Sequence, residues 1–95
     1  MPVKIMRADG KIEALKPATI KNAIKSASNR VEISDYYEKQ LEGEVTDKII
    51  KDLKGVKELN SGELKEKLIA ELETVERAAS ELAKEIRNLE DSEFL

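Results

Sequence analysis

The 95-residue chain contains no cysteine, no histidine and no tryptophan, and aromatic residues make up only 3% of it. Without cysteine there is no disulfide framework and no thiolate zinc site, a composition that fits a reducing compartment. With histidine gone as well, the two commonest nucleophile and general-base types are missing, so any catalysis would rest on carboxylates, lysines or hydroxyls. Long apolar runs are also absent. None approaches the roughly 18 residues of a membrane span, and "MPVKIMRADG" lacks the apolar core of a signal peptide. There is no G-x-x-x-x-G-K-[ST] loop, which removes the P-loop kinases and ATPases. The acidic stretches do not follow a calcium-loop pattern. The expectation is a soluble, cytoplasmic, non-enzymatic protein without a membrane anchor or structural metal.

What is abundant is charge, at 39% of residues. The net charge of −3 hides an asymmetry. Residues 1–30 carry seven Lys/Arg against Asp9 and Glu13, a net of +5, whereas residues 31–95 carry a net of −8. A basic third on an acidic body points to a local anionic partner, or else to lysines that merely solvate a helix face. A long nucleic acid is disfavoured, because the basic third lacks aromatics for stacking and the acidic body repels a polyanion. The length allows one domain, residues 1–95, large enough to fold alone.

Along the chain, "VKIMR" and "KIEAL" alternate apolar and polar residues around Asp9-Gly10, which predicts a β-hairpin over residues 3–15 with a two-residue type I′ turn. That turn places Val3, Ile5, Arg7, Ile12 and Ala14 on one face. Pro17 suits the first position of a helix, and Ile20, Ala23, Ile24 and Ala27 form its apolar stripe, giving a helix over 17–28. A second helix is expected over 34–54, with Ser34 as N-cap, Tyr37, Leu41, Val45, Ile49 or Ile50 and Leu53 inward, and Glu44–Lys48 and Asp47–Lys51 as i, i+4 pairs. "VKEL" is read as an extended segment joining the hairpin edge. Ser61 is the expected N-cap of a helical region over 62–90, either continuous or split near 73–76. Leu68, Leu72, Val75, Ala79, Leu82, Ile86 and Leu89 form a heptad seam there, the inner face of a bundle or a homodimer face over 68–89. "DSEFL" reads as a fraying tail. The fold class is therefore α+β, mostly helical, with a hairpin capping three to four helices.

The stretch "MRADGKIEALKPATIKNAIKSA" resembles the start of an ATP-cone domain, the small regulatory nucleotide-binding module of ribonucleotide reductases and their repressor. Asp9-Gly10, Glu13, Ile20, Ala23-Ile24 and Ala27 match that family's opening in register. The likeness is good over residues 3–27, structural over 31–75 and weak beyond. It implies a bundle of about four helices capped by a three-stranded sheet. It also implies a nucleoside triphosphate, ATP or dATP with Mg²⁺, at the hairpin and the first helix. By position, the resemblance assigns Ile5 and Arg7 to the ligand face of the first strand and Glu13 to the nucleoside. It assigns Lys16 and Thr19 to the entrance of the first helix, and Ser61 to a hydroxyl at a later helix start.

Two cations of the family pattern are replaced here, the second of the basic pair by Ala8 and the first-helix lysine by Thr19. Lys21 does not substitute for that lysine, since two residues turn a helical side chain by about 200°. Lys11, Lys16 or Lys25 could bring charge from another direction. The aromatic-rich ending of the family is replaced by "AASELAKEIRNLE". These changes predict a regulatory domain with a weakened nucleotide site. The alternative is an ATP-cone-like fold that no longer binds nucleotide and serves as a protein-protein interaction module. In both cases the expected partner is a protein.

Overall fold

The computed structural model describes residues 3–75, 77–90 and 94, leaving aside the side chains of 77–80. Its first two strands, β1 (Lys4–Met6) and β2 (Ile12–Ala14), pair antiparallel as Met6–Ile12, Ile5–Glu13 and Lys4–Ala14. This register corrects the two-residue turn. A type I′ turn needs positive φ at both central residues. Here Gly10 has φ 89°, while no described non-glycine residue has positive φ. The loop is instead the three residues Ala8-Asp9-Gly10. It is closed by Gly10 N donating to Arg7 O at 2.9 Å and Arg7 N donating to Lys11 O at 2.8 Å. The Asp9 carboxylate accepts from Lys11 N at 2.9 Å, which fixes the tip locally.

One extra loop residue turns β2 over. Ile5, Arg7, Glu13 and Leu15 now share the inner face, while Met6, Ile12, Lys4 and Ala14 face out. The reason is burial: Leu15, whose N–H donates to Val3 O at 2.7 Å, joins the core, while Ile12 stays 53% exposed. The two-residue turn would have turned Leu15 away from the core.

Helix α1 (Pro17–Ser28) buries Ile20, Ala23, Ile24 and Ala27, the stripe expected from spacing. In α2 (Asp35–Asp52), Ser34 caps the first turn by accepting from Tyr37 N at 3.2 Å. Of the adjacent isoleucines, Ile49 goes inside and Ile50 stays 38% exposed. Lys48 does not reach back to Glu44. It bonds forward to Asp52 at 3.0 Å, where Lys67 and Glu71 of the third helix face the pair. The hydrogen bond raises the Lys48 pKa and lowers that of Asp52. Gly55, at φ 86°, turns the chain out of the helix end.

Strand β3 (Glu58–Asn60) then enters the sheet, beginning two residues into the "VKEL" segment and ending one beyond it, and lies parallel to β1. The strand order is β2-β1-β3, so β1 is paired on both edges. Asn60, not Ser61, caps α3 (Ser61–Glu73): its side chain accepts from Glu63 N at 2.8 Å, and Asn60 N donates to the Glu63 carboxylate at 2.9 Å. This reciprocal capping box satisfies two backbone N–H groups at once.

No glycine or proline marks the end of α3, yet it stops at Thr74. There the Thr74 hydroxyl donates to Glu71 O at 2.8 Å, and a β-branched Thr-Val pair follows the last turn. Val75 is exposed in the link, and α4 (Arg77–Asn88) follows. The heptad seam is thus divided between two helices. Leu68, Leu72, Leu82 and Ile86 are fully buried inside one chain, where they form the inner face of the bundle. Ala79 and most of "DSEFL" lie outside the described side chains. Polar contacts between α3 and α4 include the Arg87–Glu73 ion pair and Lys65 donating to Leu89 O just past the end of α4. α3 packs chiefly on α4 and α1 on α2, with α2–α3 and α1–α4 contacts joining the two pairs.

Thr46 is fully buried on α2, and its hydroxyl has no hydrogen-bond partner among the described residues. Thr46→Val is therefore expected to raise stability by about 1 kcal/mol in urea unfolding, since it removes an unpaired polar group. Gly10→Ala meets no neighbouring atom but must hold a positive φ, so the same measurement should show a loss of about 1–2 kcal/mol.

Candidate functional site

The inner-face register has a direct chemical consequence. Arg7 and Glu13 stand diagonally across the hairpin, a reach that long side chains bridge. Arg7 Nε donates to Glu13 Oε1 at 2.6 Å. Both side chains are partly open to water, so the pair is a modest electrostatic contact rather than a buried one. In the two-residue register they would have pointed to opposite faces.

Beyond this pair, the end of β1 and one side of α1 enclose a cleft of ≈ 230 Å³, lined by Arg7, Thr19, Asn22, Ala23, Ser26 and Phe94. Thr19, Asn22 and Ser26 fall at i, i+3 and i+7, so they share one polar stripe beside the apolar one. Phe94 is buried against the core and forms a wall of the cleft. A larger groove of ≈ 310 Å³ lies at the hairpin base against the end of α2, walled by Val3, Leu15, Pro17, Ile50 and Leu53. Among the described residues, Lys54 is the one polar side chain lining it, whereas the smaller cleft combines Arg7 with Thr19, Asn22 and Ser26 and is the better candidate for recognition chemistry.

The residues singled out from the sequence are distributed unevenly around this cleft. Arg7 and Thr19 line it, and Glu13 reaches it through Arg7. Ser61 follows Asn60, which pairs with Met6, so the parallel register carries Ser61 toward the level of Arg7 on the next strand. Ile5 is fully buried in the core, so its side chain does not face a ligand. Lys11 sits at the hairpin tip, where its carbonyl accepts from Arg7. Lys16 is the exposed N-cap residue of α1 and does not line the cleft; its carbonyl accepts from Thr19 N at 3.0 Å.

Asn22, Ser26 and Phe94 were not singled out from the sequence. The first two had a signal, their helical spacing from Thr19. Phe94 is the chain's one phenylalanine, set in an acidic ending that reads as tail.

The fold and cleft define a class: a small α+β domain with a three-stranded sheet capping four helices, and a polar cleft between its hairpin and first helix. No protein-family model, no curated protein and no solved structure matches the chain.

The cleft's described lining is mostly neutral. It offers hydroxyls, an amide and an aromatic wall, but one arginine already engaged by a carboxylate. Among the described residues, no group of three acidic or metal-binding side chains could hold a metal ion. Removing the pair's charge by Glu13→Gln is expected to change stability by less than about 1 kcal/mol, with the small loss shrinking at high salt. Thermal unfolding at two ionic strengths checks this.

Proposed function

We propose that the chain is a nucleotide-sensing regulatory domain of the ATP-cone type, with ATP or dATP held in the cleft between the hairpin and α1 and the affinity lowered by Ala8 and Thr19. One observation carries this reading. Arg7 and Thr19, which the resemblance assigns to the ligand and which lie on different elements, line one cleft. Glu13, the third residue of that assignment, bonds to Arg7 at its edge.

Binding would work through position rather than chemistry. A ligand here touches the hairpin, α1 and residue 94 together, so it favours one arrangement of the three and alters the surface that a protein partner reads. Mg²⁺ would arrive on the phosphates.

A second reading has its own observation. Met6 and Ile12, directly paired on the outer sheet face, are 37% and 53% exposed. Such a patch suits a protein contact in a fold that has lost its ligand.

An amide-shift NMR titration with ATP, dATP and Mg²⁺ separates the two. Saturable shifts confined to Arg7, Glu13, Thr19, Asn22 and Ser26, weakened by Arg7→Ala, are the expected outcome. No shifts at millimolar nucleotide would contradict the nucleotide reading and favour the protein-contact one.

A further inference from the structure

Residues 48–57, "KIIKDLKGVK", run against the charge of their surroundings. Four lysines stand against Asp52, a net of +3 inside a region, 31–95, whose net is −8. Lys48 bonds to Asp52 on the side of α2 that faces α3. Lys51, Lys54 and Lys57 are exposed, and each follows an apolar residue: Ile50, Leu53 and Val56.

The fold gathers this pattern around the groove of ≈ 310 Å³ at the hairpin base. Ile50 and Leu53 form its α2 wall, Val3 and Leu15 its hairpin wall, and Pro17 a third side. Lys54 lines it directly. Lys4 N donates to Lys57 O at 3.0 Å, and the parallel register sets Lys57 beside Val3. Lys51, in the last turn of α2, stands three residues before Lys54 and flanks the same rim. Asp47, four residues before Lys51, offsets that one lysine. Val56 and Ile50 leave apolar surface exposed beside the opening.

An apolar floor with a charged rim is the anatomy of a protein–protein contact. The groove lies at the lower end of the roughly 300–1,000 Å³ of ligand-holding pockets, a size for anchoring side chains rather than a whole helix. Its concavity favours an inserted side chain over a flat bilayer.

We propose that this groove docks a segment of another protein in which a leucine or phenylalanine anchor is flanked by Asp or Glu. The anchor sits between Ile50 and Leu15, and the flanking carboxylates meet Lys54 and Lys57. The groove is at the opposite end of β1 from the Arg7 cleft, and on the opposite sheet face from Met6 and Ile12. It therefore goes beyond both readings above.

The test is to select a displayed library of short random peptides on the full chain, then measure the enriched peptides by fluorescence anisotropy and amide-shift NMR. Enriched sequences should pair an aliphatic or aromatic residue with Asp or Glu. Their shifts should centre on Leu15, Ile50, Lys54 and Gly55 and leave Thr19, Asn22 and Ser26 unmoved. Lys54→Glu, at an exposed position, should weaken binding about fivefold at low salt and less at high salt. Ile50→Ser should weaken it about tenfold at either salt. Amide spectra of both variants should match the parent away from the groove, which separates lost docking from a lost fold.

Enrichment without acidic residues, or peptides whose affinity survives both variants, would overturn the proposal. So would two other occupants. Groove shifts that grow with the concentration of the chain alone would assign the groove to a second copy. Co-sedimentation with phosphatidylserine vesicles, lost in Lys54→Glu, would assign it to a lipid surface.

Discussion

A three-residue strand paired on both edges holds the molecule in order. β1 lies between β2 and β3, with Ile5 fully buried beneath it. An isolated hairpin is marginal in water, so β2 persists because β1 is anchored on its far side and from below. Ile5 and Leu59, paired in parallel register, press the sheet onto the helices. Leu15 extends that contact on the β2 side. Since side chains alternate with period two, fixing Ile5 and Leu15 inward fixes Arg7 and Glu13 inward as well. The candidate site is a consequence of core packing.

Much of this was legible locally. The α1 stripe and the Ser34 cap follow from spacing and backbone preference, and the structure has both of them. The hairpin turn was not legible, because Asp-Gly serves both a type I′ turn and a three-residue loop with glycine at the left-handed position. What decides between them is the burial of Leu15, a tertiary fact. The α3 cap went to Asn60 because a capping box needs Glu63 three residues on, a pairing that the choice of Ser61 overlooked. The interrupted seam has a similar cause. Spacing records which residues are inward but not that Thr74 ends the helix with its own hydroxyl.

The basic N-terminal third, the feature that first suggested an anion, has a split explanation. Of its cations, Arg7 alone lines the cleft. Lys4, Lys11, Lys16, Lys21 and Lys25 are exposed, which is the solvating role that charge runs commonly take. The other described side chains lining the cleft are neutral residues on α1 and Phe94, which lies far from the hairpin in sequence and beside it in space.

The hairpin register decides whether Arg7 and Glu13 share a face, and it is directly observable. Bonds at Val3–Leu15 and Arg7–Lys11 make Lys4–Ala14 and Met6–Ile12 the non-hydrogen-bonded pairs, where α-carbons approach to about 4.5 Å. A NOESY spectrum should therefore show strong Hα–Hα cross-peaks for Met6–Ile12 and Lys4–Ala14. Cross-peaks at Arg7–Ile12 and Ile5–Ala14 instead would mean a two-residue turn. Arg7 and Glu13 would then lie on opposite faces, and the ion pair at the edge of the cleft would not form.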